Sequence, residues 1–141
     1  MKVRRMAQRR PCENVVVVSV PARPLNASEL RMLSGLLDHD FPGAPELRAQ
    51  VPYLSVVRRC GCGCPTVEFT VSSEAPRSPV EAPNRLAPIE GRVTPKDDEP
   101  TADIILFDDA GRLTSLEYGS YNDSPPEDWP PLDRVTFTTC S

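Results

Sequence analysis

The stretch ADIILFDDAGRLTSLEY, residues 102–118, decides the fold that this sequence predicts. Its first part is apolar at every position from Ile104 to Phe107, which is typical of a strand buried on both faces. The segment Asp108–Gly111 indicates a turn, because glycine accepts a positive φ without a steric cost. Leu113–Tyr118 then returns as the second strand, so the stretch predicts an antiparallel hairpin.

A helix signal precedes this hairpin. Asn26 is a residue type that caps helices, and Glu29 stands three positions on, where a capping box requires it. Leu25 and Leu30 occupy the two positions of a hydrophobic staple around that cap. The apolar stripe recurs at helical spacing and consists of Leu30, Leu33, Leu36 and Leu37. These signals predict a helix from about Ala27 to Asp38.

The remaining chain supplies further short elements. We expect strands at Asn14–Val20, which is read as buried, and at Tyr53–Arg59, Thr66–Ser72 and Arg134–Thr139, with a short helix at Glu46–Gln50. Residues 73–100 hold six prolines and predict a surface loop, with a short edge strand near Ile89–Thr94. The expected fold class is α+β, with a small, mostly antiparallel sheet and one main helix packed on it.

Length and charge limit the function classes. The chain has 141 residues and a net charge of −4, which fits one domain at 13–141 after a disordered basic tail at 1–12. Residues 97–141 carry two arginines against eleven carboxylates. Acidic surfaces attract basic proteins and repel nucleic acid and anionic lipid. The apolar run at 15–20 is too short for a secretory signal or a membrane span, so a cytoplasmic location is expected.

Three of the five cysteines stand at alternate positions in CGCGCP, residues 60–65. Cys60, Cys62 and Cys64 are soft ligands suited to zinc or copper, provided that their sulfur atoms converge. Along an extended strand they would lie roughly 6–7 Å apart, so convergence requires a turn, which the two glycines permit. A tetrahedral site also needs a fourth ligand, for which Cys12, Cys140, His39 and Glu68 are candidates.

Two other interpretations of these thiols stay open. A C-x-C pair forms a strained disulfide, and strained disulfides are the labile ones. The thiols are also compatible with small buried packing groups. Enzymatic catalysis is not expected, because His39 is the sole histidine and the sequence holds no nucleophile elbow and no phosphate-binding loop. No resident cofactor is expected beyond the zinc or copper ion considered above.

A second candidate site lies near the C-terminus, where aromatic residues stand among carboxylates. Its members are Tyr118, Tyr121, Glu127, Asp128 and Trp129. Exposed aromatic side chains rimmed by charge are typical of protein interfaces. The preferred interpretation is a small, non-enzymatic protein that binds a basic protein partner here. The alternatives are that Trp129 belongs to the core, and that the thiols are the functional centre.

Two motifs together carry a resemblance. The segment RCGCGCPT at 59–66, and the segments ILFDDAGRL at 105–113, LEY at 116–118 and PEDWP at 126–130, resemble those of a group of small uncharacterised proteins from high-GC bacteria. The resemblance covers roughly Leu30–Thr136 and excludes the basic tail. It implies a small accessory protein of the kind that neutralises toxins, and it carries no catalytic residues to this sequence.

Overall fold

The computed structural model describes residues 17–95, 99–122 and 124–140, which form one antiparallel sheet and two α-helices. The strands are β1 (Val17–Arg23), β2 (Leu54–Cys60), β3 (Val67–Val71), β4 (Arg85–Val93), β5 (Ala102–Asp109), β6 (Arg112–Ser120) and β7 (Val135–Thr139). The helices are α1 (Ala27–Leu37) and α2 (Ala44–Gln50). Short 3₁₀ turns at Val51–Tyr53 and Leu132–Arg134 lead into β2 and β7. The predicted tail at 1–12 lies outside the described residues.

The sheet runs in the order β1-β2-β3-β6-β5-β4-β7, and every neighbouring pair is antiparallel. Eight residue pairs join β5 to β6, whereas only two, Val67 with Leu116 and Glu68 with Ser115, join β3 to β6. The α+β class and the antiparallel sheet are therefore confirmed. The expectation of one main helix is not quite matched, because α2, which begins after Gly43 and covers the short helix predicted at Glu46–Gln50, is a second helix of the fold.

Local sequence explains α1. The side chain of Asn26 accepts a hydrogen bond from the Glu29 amide at 2.8 Å, and Glu29 accepts one from the Asn26 amide at 2.9 Å. The capping box and the predicted start of the helix are thus confirmed. The hydrophobic staple predicted between Leu25 and Leu30 is not confirmed, since Leu30 is 43% exposed. The side chains of α1 that do enter the core are Met32, Leu33, Leu36 and Leu37.

The core lies between the helices and one face of the sheet. From the sheet it receives alternate residues of each inner strand, among them Val67 and Phe69 of β3 and Ile104 and Leu106 of β5. The alternation predicted for β3 is confirmed, because Glu68 and Thr70 are more exposed than these neighbours. No helix in the described part of the chain is long and apolar enough to cross a membrane.

The burial expected for the first strand is wrong. β1 lies at the edge of the sheet, paired with β2 alone, and Val17 and Val18 are exposed. Its β-branched residues fit a strand, but only tertiary pairing determines whether a strand is central or at an edge. The first three residues of the predicted span, 14–16, lie outside the described residues.

The proline-rich loop also differs from expectation. Residues 85–93 form β4, a nine-residue strand that lies between β5 and β7 rather than at an edge. The register to β5 shifts between Leu86 and Glu90, so Pro88, which has no amide hydrogen to donate, sits in the irregular part of the ladder. Ile89 is fully buried. The short strand predicted near Ile89–Thr94 is therefore present, but it is longer and central, a position against which proline normally argues.

Candidate metal centre

The backbone of the cysteine motif leaves the sheet in a tight turn. β2 ends at Cys60 and β3 begins at Val67, and the amide of Cys60 donates to the carbonyl of Thr66 at 3.2 Å. Gly63 adopts a φ of +92° and donates to the carbonyl of Cys60 at 3.4 Å. The thiols therefore do not follow one extended strand, and the glycine-rich turn expected here is confirmed.

The turn brings the three sulfur atoms together. The Sγ atoms of Cys60, Cys62 and Cys64 all lie within 4.8 Å of one another. Cys60 Sγ and Cys62 Sγ are 3.2 Å apart. Three thiolates bound to one ion at about 2.3 Å lie roughly 3.8–4.0 Å from one another. Small side-chain movements therefore suffice to place all three sulfurs around a single ion.

The three thiols differ in access to solvent and in hydrogen bonding. Cys60 and Cys64 are each 5% exposed, whereas Cys62 is only partly buried. The sulfur of Cys62 accepts from the thiol of Cys60 and, at 3.4 Å, from the backbone amide of Cys64. Cys62 is thus the most accessible of the three sulfurs.

The backbone of Tyr118 contacts the end of this turn. Its amide donates to the Thr66 hydroxyl at 2.8 Å. Burial raises the pKa of the Tyr118 phenol above 10, a hydrogen bond with Thr101 opposes the rise, and negative charge at Cys64 adds to it. Trp129 packs edge-on against Tyr118, with ring centroids 6.0 Å apart.

The fourth ligand that zinc requires is not among the described residues of this cluster, which has three members. The ring of His39 donates through Nδ1 to the Gly35 carbonyl and packs on Phe137. Glu68 accepts from Arg58 at 2.6 Å, and Cys140 follows β7. Cys12 lies outside the described residues. The described geometry is that of a three-sulfur site.

The residues of the predicted protein-binding site occupy different environments. Tyr118 and Trp129 are 5% and 3% exposed, so their rings belong to the core, as the alternative interpretation had it. Asp128 accepts from the Ser28 hydroxyl at the start of α1 and from the Trp129 amide. The hydroxyl of Tyr121 donates to Asp103 at 2.8 Å. Of the five, Glu127 and Asp128 are exposed. These contacts give most of the set a role within the fold.

Tyr121 gives a prediction about alkaline stability. Burial and the hydrogen bond to Asp103 raise its pKa from 10 to about 12. The folded state therefore holds this proton more tightly, so the stabilisation is complete below pH 10 and is lost as the pH rises towards 12. We expect Tyr121→Phe to reduce the fall in unfolding free energy between about pH 9 and pH 11 in urea titrations. Tyr53→Phe, at an exposed tyrosine, is the matched control, and equal pH slopes in the two variants would contradict the prediction.

Sequence reasoning missed the contact of Tyr118 with the thiol turn, which comprises residues 60–66. The contact depends on the pairing of β3 with β6, whose members are separated by more than forty residues. No local pattern specifies which strand lies beside β3. The sequence did indicate that Leu116 and Tyr118 lie on the same face of β6, because they are two residues apart in a strand.

No protein-family model, no curated protein and no solved structure matches this chain. Its function is therefore inferred from the geometry of the described residues. The thiol turn is the one place in those residues where three or more cysteine, histidine or carboxylate groups converge on a possible metal position.

Proposed function

We propose that this protein binds a soft metal ion, with Cu(I) the favoured ion, through the thiolates of Cys60, Cys62 and Cys64. The observation that carries the proposal is the separation of the three Sγ atoms, all within 4.8 Å of one another. Sulfur atoms on alternate residues reach this spacing only because the chain turns at Gly61 and Gly63. A packing role alone does not require such convergence.

The number of ligands favours Cu(I) over zinc. Structural zinc sites are almost always four-coordinate, whereas the described cluster supplies three sulfurs. Cu(I) is a soft ion that is selected by thiolates and is satisfied by two or three of them. Two of the sulfurs are buried, which excludes water from the ion, and the third is partly exposed, which gives the ion an entry path. Thiolates persist in a reducing compartment, so the proposal agrees with a cytoplasmic location.

The thiol interpretation now ranks above binding of a basic protein. The binding hypothesis needs exposed aromatic side chains, and Tyr118 and Trp129 are buried. Recognition of a basic partner through Glu127 and Asp128 stays a prediction that no observation tests. Acidic residues on a surface keep a small protein soluble whether or not a partner exists.

The proposal predicts that the reduced protein binds one Cu(I) per chain and that Cys62→Ser abolishes the site. Loss of an outer-shell partner alone costs roughly 10–100-fold in metal affinity, so removing a direct ligand is expected to cost more than about 100-fold. The measurement is competition for Cu(I) with a coloured chelator under anaerobic conditions. Emission of Trp129, the sole tryptophan, provides a second readout beside the site.

Two further variants sharpen this experiment. Cys140→Ser removes an exposed thiol outside the cluster and is expected to leave Cu(I) affinity unchanged. Cys12→Ser is expected to do the same if three sulfurs suffice. If the unaltered protein binds zinc tightly and Cys12→Ser loses metal binding, a four-thiolate zinc site would replace the Cu(I) assignment. Equal Cu(I) affinity in Cys62→Ser and Cys140→Ser would refute the proposal.

A further inference from the structure

We infer that oxidation empties this site. Cys60 and Cys62 form a disulfide when they react with a low-molecular-weight disulfide, and the bound ion leaves with the two small thiolates to which that reagent is reduced. The release of the ion rests on the proposed function. The closure of the disulfide does not, because it is expected of the metal-free protein as well. The two parts can therefore fail separately.

The geometry selects Cys60 and Cys62 as the pair. Their sulfur atoms are 3.2 Å apart, and a disulfide bond is about 2.05 Å long, so closure requires the two atoms to approach by about 1 Å. The single residue between them is Gly61, which has no Cβ to obstruct the ring that forms. The same side-chain positions that suit the metal thus also suit the bond that would exclude it.

Burial and hydrogen bonding assign different roles to the two sulfurs. Cys62 is partly exposed, and its sulfur accepts from the Cys60 thiol and the Cys64 amide. The accessible sulfur is the one that an incoming disulfide reaches first. Cys60 is buried beside it, so it is shielded from the external reagent. It is nevertheless within reach of Cys62 once that sulfur has reacted.

The reaction balances in two exchange steps. The Cys62 thiolate attacks a disulfide RSSR, the S–S bond of the reagent breaks, and a mixed disulfide Cys62–S–S–R forms as RS⁻ leaves. The Cys60 thiol gives its proton to solvent, and its thiolate attacks Cys62 Sγ and expels a second RS⁻. Two protein thiols are oxidised by two electrons in total, and one RSSR is reduced to two thiolates.

The ion does not change its oxidation state in this reaction. After closure, only Cys64 remains as a thiolate ligand within the cluster, and one sulfur does not hold Cu(I) against competing thiols. The two RS⁻ that leave are themselves soft ligands for Cu(I). Oxidation by a small disulfide therefore removes the protein's ligands and supplies replacements in the same event.

The disulfide is expected to be readily reversible. Two cysteines separated by one residue close a small ring whose geometry departs from that of relaxed disulfides, and such strain favours reduction. An excess of a small thiol should regenerate the three-thiol state. The site would then load under reducing conditions and unload under oxidising ones.

The first test uses the full-length, reduced, metal-free protein and glutathione disulfide as the probe. We expect the mass of the protein to fall by two hydrogen atoms and peptide mapping to place the bond between Cys60 and Cys62. Cys64→Ser and Cys140→Ser are expected to form this bond as the unaltered protein does. Cys60→Ser should instead accumulate the mixed disulfide on Cys62, because the sulfur that would expel the second RS⁻ is absent.

The second test adds glutathione disulfide to the Cu(I)-loaded protein in the presence of a coloured Cu(I) chelator. We expect copper release to follow disulfide formation. If the protein binds Cu(I) but forms no Cys60–Cys62 bond with glutathione disulfide, the inference is overturned and the proposed function stays intact. Bond formation in a protein that does not bind Cu(I) would overturn the release and the proposed function, leaving a redox pair.

Discussion

Replacing Arg85 by methionine is expected to destabilise the fold by about 3–5 kcal/mol. The guanidinium of Arg85 donates to both carboxylate oxygens of Asp108, with a shortest distance of 2.6 Å, and it also donates to the Pro42 carbonyl. Asp108 is fully buried. Methionine retains the apolar stem of the side chain but leaves the carboxylate without its cation, which is the costly way to break a buried pair.

Arg58→Met is the matched control for this experiment. Its pair with Glu68 has the same shortest distance of 2.6 Å, but the two side chains are 49% and 34% exposed. Solvent screening limits such pairs to about 1 kcal/mol or less. The measurement is the unfolding free energy in urea. In Arg85→Met combined with Asp108→Leu we expect most of the stability to return, because no buried charge then remains. Similar losses for the Arg85 and Arg58 variants would contradict this account.

Gly111→Ala is expected to cost about 3 kcal/mol, combining backbone strain with a steric clash. Gly111 adopts a φ of +85°, and a Cβ there would lie 2.5 Å from the Ser78 carbonyl oxygen, a backbone atom that has little freedom to move. The Gly111 carbonyl also accepts from the Ser78 amide at 3.0 Å and from the buried Gln50 side chain at 2.7 Å. Relief of the clash would therefore disturb bonds that join the hairpin to α2 and to the 73–84 segment.

Gly63→Ala separates the two causes. Gly63 has a similar φ of +92°, but nothing lies within 4 Å of the Cβ that alanine would add. We expect it to show the strain alone, roughly 1–2 kcal/mol. The difference between the two variants in urea unfolding then measures the clash against Ser78. If Gly63→Ala cost as much as Gly111→Ala, the close approach to Ser78 would have no energetic role.

The elements that could be predicted are those specified by neighbours in sequence. Asn26 and Glu29 define the start of α1 through contacts three residues apart, and Gly111 defines the turn of the hairpin. The turn at the thiols belongs to the same group, since Gly61 and Gly63 lie within the motif, which permits convergence of the sulfurs without specifying it. In each case the determining interaction joins residues close together in the chain, so the local sequence pattern is enough to predict it.

What could not be predicted depends on partners distant in sequence. Ile89 is buried because β4 lies between β5 and β7, although the prolines around it argue for a loop. Val17 is exposed because nothing beyond β1 continues the sheet in the described residues. Trp129 enters the core from an acidic, proline-rich segment, so the sequence left both an exposed and a buried position open. Composition reports what a segment prefers, and topology determines what it contacts.

The two-pair junction between β3 and β6 has a mechanical consequence. The sheet consists of a block β1-β2-β3 and a block β6-β5-β4-β7, and along this line they share the shortest ladder of the sheet. The thiol turn lies at one end of it, where Thr66 of the first block receives a hydrogen bond from Tyr118 of the second. A ligand held by Cys60, Cys62 and Cys64 would fix the turn beside this junction, so we expect it to restrict movement of one block against the other.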